Sequence, residues 1–312
     1  MDASVHFTGA ARDVAGAFDA CRNLTGASYE NFNVGSRFIK ANLRPHFYSV
    51  YAFCRLVDDL GDEVDDDRLE LLDRWEHELM LCYQGTPNVV WFQALKQTIE
   101  EFAIPPEPFL RLIEANRRDQ RDRRYSDYQA LVEYCTHSAT PVGHLVLYLY
   151  GYFSEQMAAF SDRTCIALQL ANFWQDVWRD YLKGRIYIPQ SDMSAFGVDE
   201  SIIRDREPTT EYRQLMKFQV ERTRDLFRDG YGLYEHLERD FRLEFSAITA
   251  GGLSVLDAIE QLDYDTLTVR PTVSRTKKVR IMLSIVARKL IRLTPVSADS
   301  FLSNSERRLG SA

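Results

Sequence analysis

The sequence predicts an all-α fold, a single-domain helical bundle around a central cavity, on three observations. Apolar residues recur at helical spacing in nearly every segment, and sustained period-two alternation is absent. Hydrophobic residues make up 45% of the 312-residue chain and aromatic residues 12%, ample for a large core. No repeat, low-complexity tract or linker divides the chain. One domain over 1–312 is therefore expected, with 1–25 as an N-terminal extension and 275–312 as a C-terminal helix and tail.

The spacing predicts helices near 11–23, 44–64, 66–84, 88–103, 107–119, 126–138, 140–153, 161–182, 209–240, 246–263 and 275–293. Pro45 suits the first turn of the second helix. Pro105, Pro106 and Pro108 separate the fourth helix from the fifth. In "KGRIYIP" (183–189), Gly184 is a C-cap candidate for the preceding helix and Pro189 blocks its continuation.

Composition excludes several classes. A net charge of −8 argues against nucleic acid as the main partner. The five cysteines (Cys21, Cys54, Cys82, Cys135, Cys165) are an odd number without a CxxC, so neither a disulfide framework nor a zinc site is indicated. The N-terminal residues lack a basic region followed by an apolar core. The longest uncharged stretch contains His137, Pro141 and His144, which suits a membrane span poorly. A soluble or peripheral cytoplasmic protein is expected.

Two acidic clusters carry the chemistry: "DDLGD" at 58–62 and "DVWRD" at 176–180. In each, two aspartates four apart (Asp58 and Asp62; Asp176 and Asp180) project from one helical face. The first face also carries Tyr51, Cys54 and Arg55 beside an inward stripe of Phe47, Val50 and Val57. On the second helix Gln169, Asn172, Asp176 and Asp180 form one polar ridge between apolar shoulders that include Phe173, Trp174 and Trp178. A solvated face is the usual reading of such a ridge, but here the tryptophans leave little room for one. Carboxylates converging on an interior need cations to stay ionised. Hard oxygen ligands select Mg²⁺, which keeps positions for water and a substrate phosphate. Asp65, Asp66 and Asp67 are expected in a solvated helix junction. A calcium EF-hand loop fails for want of a glycine at its sixth position.

"YSVYAFCRLVDDLGDE" (48–63) and "LQLANFWQDVWRDYLKGRIYIP" (168–189) resemble the two signatures of the squalene and phytoene synthase family, and the similarity runs over roughly 28–290. The resemblance implies an all-α enzyme that condenses or rearranges isoprenoid diphosphates. It implies Mg²⁺, about two or three ions, with Asp58, Asp62, Asn172, Asp176 and Asp180 as ligands and no redox cofactor. Tyr51, Arg55, Gln169 and Asn172 match pocket positions near diphosphate or the reacting centre. Arg185 lies on the "KGRIY" flap, and Ser36 and Arg37 lie in a loop resembling the family's lid. Phe32, Tyr51, Phe53, Tyr148 and Phe173 are candidates for cation-stabilising aromatic faces.

Three stretches, "YENFNVGSR" (29–37), "YCTHSATPVGHLVL" (134–147) and "NFWQD" (172–176), resemble the bacterial hydroxysqualene synthase branch of the hopanoid pathway. That branch is expected to ionise presqualene diphosphate, rearrange the cyclopropylcarbinyl cation and capture water. Family members that also perform the condensation commonly show "YVAGLVG" where this chain has "HSATPVG", so His137 replaces a tyrosine. Gln175 replaces an arginine often found before the second motif, one fewer cation for a second diphosphate. Tyr134, His137 and Asn172 are the candidates to orient the water.

Two alternatives stand beside this reading. One is a sister prenyltransferase making presqualene diphosphate, dehydrosqualene or phytoene. The other is a non-catalytic assembly factor, against which the retained aspartates argue. The basic, apolar-interleaved segment 275–292 is a candidate for peripheral docking on the inner face of the cytoplasmic membrane. The expected partners are an isoprenoid diphosphate, a presqualene diphosphate synthase and a downstream reductase. His46 and His144 are expected to be structural.

Overall fold

In a computed structural model the described residues are 5–27 and 39–274. They form an all-α bundle with no strand; a lone bridge joins Gly9 and Val89. The basic segment 275–292, the loop carrying Phe32, Ser36 and Arg37, and the predicted helix 275–293 lie outside the described residues.

The first half of the chain builds one core. Helices α1 (Val14–Ala27), α2 (Arg44–Asp62), α3 (Arg68–Gln84), α4 (Val90–Phe102) and α5 (Glu107–Asp119) pack together. Pro45 sits in the first turn of α2, where its missing N–H costs nothing. Asp67 caps α3 by accepting from the Leu69 and Glu70 amides, so the acidic run after the first motif ends in a solvated junction, as expected. Phe53 of α2 stacks edge-on against Phe109 and Phe92, which makes it core rather than a site residue.

The second half builds another core around α8 (Glu155–Gln175). Helices α6 (Tyr128–Ser138) and α7 (Thr140–Tyr150) lead into it, and α12 (Thr210–Gly230) and α14 (Arg239–Gln261) pack against it. Ser154 caps α8 through the Met157 amide. Its hydrophobic residues are distributed all round, because neighbours surround it.

Several predicted elements differ from the structure. The helix read at 161–182 begins at Glu155 and bends at Asp176, where α9 (Val177–Leu182) takes over. The i→i+4 bonds continue through the bend, from Asp176 N to Asn172 O and from Asp180 N to Asp176 O, both 2.9 Å. The helix read at 209–240 divides into α12, α13 (Leu233–His236) and the start of α14. Its break falls at Gly230 and Gly232, where an added Cβ would lie 2.3 Å from Thr164 Oγ1 and 2.4 Å from the Phe160 ring. Glycine there admits a close approach to α8 that no side chain would allow. Two short helices, α10 (Gln190–Ala195) and α11 (Glu200–Arg204), were not predicted.

The segment after α9 is held by a short main-chain ladder. Ile186 N donates to Arg123 O at 3.0 Å, Gln190 N to Tyr125 O at 2.9 Å and Ser191 N to Ser126 O at 2.9 Å. Arg124 donates to Gly184 O at 2.7 Å and pairs with Glu200 of α11 at 2.7 Å. This flap therefore closes over the seam between the two cores.

Candidate active site

At that seam α2 and α5 face α6 and α8 across a cavity of about 390 Å³. Asp58, Asp62, Asp176 and Asp180 all line it, together with Arg55, Tyr134, Gln169, Asn172, Phe173 and Arg185. Asp59, Glu63 and Asp119 add carboxylates and Lys183 adds a cation, so seven acids face three bases.

The first motif is set by a close helix contact. Asn116 of α5 donates to Asp58 Oδ1 at 3.3 Å, and Gln120 donates to Gly61 O at 2.9 Å. A Cβ on Gly61 would meet Asn116 Oδ1 at 2.1 Å, so the glycine is what lets α5 reach Asp58. Asp58 is exposed and faces the cavity. Desolvation by the protein packed around the cavity pushes its carboxyl up to about 7 despite the Asn116 bond, and the nearby Asp62 and Asp59 push in the same direction.

Asp62 is treated differently. Burial raises it, but hydrogen bonds from Arg185 at 2.8 Å and Lys183 at 2.9 Å outweigh this and hold it below the usual carboxylate range. Arg185 also approaches Asp119 at 3.8 Å. Burial lifts Asp119 to about 6, against the pull of Arg185 and a hydrogen bond from Tyr134.

The second motif repeats this division. Asp176 receives a two-point contact from Arg270, at 2.6 and 2.8 Å. Asp180 makes no ion pair among the described residues; burial first, then the Asp176 charge, pushes it up to about 7. Each motif thus holds one aspartate paired with basic side chains and one raised aspartate that makes no ion pair among the described residues. Among the described residues no three His, Cys, Asp or Glu side chains stand close enough to hold one ion between them; Asp62 and Asp176 are engaged by basic side chains.

Phe173 stacks on Tyr187 at 3.7 Å, and Tyr134 and Tyr125 complete an aromatic wall beside Arg185. Arg55 lines the cavity but spends its guanidinium on Asp59 at 2.6 Å and Glu63 at 3.4 Å.

Other expected residues stand off the cavity. Tyr51 lies beside Arg55, half-buried, outside the lining set. His137 turns its ring back to Glu133 O at 3.1 Å and Thr136 Oγ1 at 3.2 Å, because Tyr134 and Ser138 take the cavity face of α6. Tyr148 stacks on Phe153 at 4.0 Å at the far end of α7. Gln175 donates to Pro271 O at 2.7 Å and accepts from Arg270 at 3.3 Å. The residue that replaces the family's arginine therefore anchors another arginine, and the second motif is not short of a cation. His46 bonds Thr98 and His144 pairs with Asp162, both remote from the lining residues.

Sequence reasoning missed Asp59, Asn116, Asp119, Lys183, Tyr187 and Arg270. Asn116 and Asp119 share an α5 face and were legible as a polar pair; nothing in the chain points from Arg270 to a residue ninety-four positions earlier.

A squalene/phytoene synthase family model matches residues 25–277. The chain belongs to that family. Its members are enzymes acting on isoprenoid diphosphates. Phytoene synthase 1 of Solanum lycopersicum is 29% identical over 290 residues, spanning 90% of this chain and 70% of the relative. The solved squalene synthase HpnC from Alicyclobacillus acidocaldarius is 45% identical with a TM-score of 0.79, covering 81% of this chain and 96% of that one. A dehydrosqualene synthase solved with a ligand shares the fold at a TM-score of 0.80 and 23% identity, over 89% of this chain and 98% of that one. No helix among the described residues is long and apolar enough to cross a membrane.

Proposed function

We propose that the chain is a Mg²⁺-dependent hydroxysqualene synthase, converting presqualene diphosphate and water to hydroxysqualene and inorganic diphosphate. The observation that carries the diphosphate chemistry is the meeting of both aspartate pairs, Lys183 and Arg185 on one cavity. The squalene rather than the phytoene side of the family is supported by 45% identity to the squalene synthase HpnC, and the hydroxysqualene product by the resemblance of segment 134–147.

The residues fit the metal. A cavity with this excess of carboxylates repels a diphosphate unless cations enter first. Asp58 and Asp180 supply hard oxygen donors that make no ion pair among the described residues and resist ionisation alone. Asp62, Asp176 and Asn172 would complete the set. Bound Mg²⁺ would neutralise the charge that develops on the departing diphosphate.

The chain's own residues do the rest. Lys183 and Arg185, on a flap tied down by Arg124, would donate to the diphosphate oxygens as the C–O bond breaks. Phe173 and Tyr187, stacked on the cavity wall, would shield the carbocation and stabilise it with their ring faces. Asn172 and Tyr134 remain as wall residues able to orient the capturing water. His137 points elsewhere, and with Arg270 at the second motif Gln175 no longer weighs against a two-substrate condensation. The reading against condensation rests on the "HSATPVG" segment.

Purified protein given Mg²⁺ with presqualene diphosphate is expected to release diphosphate and form hydroxysqualene carrying oxygen from heavy-oxygen water, detected by mass spectrometry. Farnesyl diphosphate alone is expected to stay unconsumed. Its efficient consumption would assign the prenyltransferase reaction instead. The Asp58→Asn, Asp176→Asn double variant should lose diphosphate release with its helical circular dichroism intact; unchanged release would point to an assembly factor or another site.

A further inference from the structure

Ser138 closes α6 at the wall of the acidic cavity. Pro141 has no N–H to bring to His137 O, so the helix ladder stops there and α7 starts afresh at Thr140. Tyr134 and Ser138, one turn apart, both line the cavity. The neighbouring helices fix how deep each stands. Arg118 of α5 pairs with Glu133 at 3.2 Å, while Arg111 donates to Thr136 O at 3.5 Å. The two helices therefore run antiparallel, and Ser138 lies toward Leu112, one turn further than Tyr134 from Asp119 and the flap. On α8 the Phe173 ring stands 6.2 Å from that of Tyr134, and Gln169, one turn before Phe173, also lines the cavity.

The Ser138 hydroxyl is unspent. Thr136 Oγ1 donates to Glu133 O at 2.6 Å and Thr140 Oγ1 to Thr136 O at 2.9 Å, the usual way a helical hydroxyl bonds back to its own turn. Ser138 Oγ is buried and makes no hydrogen bond among the described residues. Leaving a buried hydroxyl unpaired is costly, and no such bond ties this one to a single rotamer. It keeps a donor and an acceptor for a molecule in the cavity.

Other polar groups of this wall are committed elsewhere. Tyr134 hydrogen-bonds Asp119, Asn172 belongs to the metal set named above, and His137 turns back to Glu133 O. In "HSATPVG", Ser138 also stands where the condensing relatives that show "YVAGLVG" carry valine. A hydroxyl thus replaces an apolar branch at a position that lines the cavity.

We propose that Ser138 holds the water that captures the carbocation, and so decides alcohol over hydrocarbon. This deepens the hydroxysqualene reading and rests on it. Ionisation sends the C–O electron pair to the diphosphate, and the cation then has two exits. A water oxygen can form a new C–O bond and shed one proton to the diphosphate, which gives the alcohol. Otherwise a carbon next to the cationic centre loses a proton to the same base, which gives a hydrocarbon with one further double bond. By accepting a hydrogen bond from the water, the Ser138 hydroxyl leaves an oxygen lone pair free for the cation. Valine offers the water nothing.

The test gives the full chain Mg²⁺ and presqualene diphosphate in heavy-oxygen water. Mass spectrometry then reads the ratio of labelled alcohol to hydrocarbon, which does not depend on the turnover rate. Wild-type protein is expected to give the alcohol. Ser138→Ala and Ser138→Val should each lower the ratio about tenfold, the worth of one hydrogen bond. Ser138→Thr, which keeps the hydroxyl, should retain it. An unchanged ratio in folded Ser138→Ala overturns the proposal, and so does an equal loss in Ser138→Thr, which would mark a packing effect. Should Ser138→Ala not fold, Ser138→Val decides in the same way. A folded variant that no longer ionises the substrate also overturns it, because capture follows ionisation. Wild-type protein that makes no alcohol from presqualene diphosphate removes the hydroxysqualene reading itself, and the role of Ser138 with it.

Discussion

The Tyr150 hydroxyl donates to Glu244, a carboxyl only 4% exposed, and that burial has a consequence for stability. Glu244 titrates near 7 in the folded chain, against about 4.5 when exposed. Between those values the folded state keeps a proton that the unfolded state has released, so stability falls as pH rises through this window and levels off above it. The full shift corresponds to roughly 3 kcal/mol. Asp58, Asp119 and Asp180 are raised by desolvation too and act in the same direction. Glu244→Gln should therefore reduce, without abolishing, the decline in melting temperature between pH 5 and pH 7.5. An undiminished slope in the variant would mean that Glu244 does not titrate there. At this same scale, the sequence showed which residues carry charge, and it could not show which charges are compensated. Asp58 and Asp62 share one helix face, yet Lys183 and Arg185 reach only Asp62.

Helices were legible where a single element decides its own face. The α2 boundaries at Arg44 and Asp62 nearly match the predicted 44–64, because Pro45 and the apolar stripe act locally. They were illegible where a neighbour decides. The Gly230–Gly232 break is made by contact with Thr164 and Phe160 of α8, and α12 by itself has the pattern of a longer helix. Gly61 is a third such contact, placed where α5 must deliver Asn116 to Asp58. Gly61→Ala is expected to cost about 1–3 kcal/mol in chemical denaturation, as overpacking at a tight contact does. It should also impair diphosphate release more than a stability loss explains, since Asn116 must move. A variant with wild-type stability and activity would show that α2 and α5 separate freely.

Taken whole, the molecule joins two hydrophobic cores across an acidic seam closed by a flap. A seam with seven carboxylates and three cations should take up a divalent cation and a diphosphate together and reject diphosphate alone. Inorganic diphosphate without Mg²⁺ should leave the melting temperature unchanged. The two together should raise it, by about 2.7 kcal/mol of stability at a hundredfold excess over Kd. A shift with diphosphate alone, measured by scanning fluorimetry, would mean that Lys183 and Arg185 suffice. Periodicity and the two aspartate spacings were enough, without coordinates, for the all-α class, the paired acidic faces and the family resemblance, because these depend on side chains a few positions apart. Only the folded chain decided that His137 and Tyr148 leave the cavity, that Arg270 reaches Asp176, and that Tyr150 meets Glu244. Those contacts join residues remote in sequence, and they form only when whole helices pack at particular crossings that local spacing does not encode.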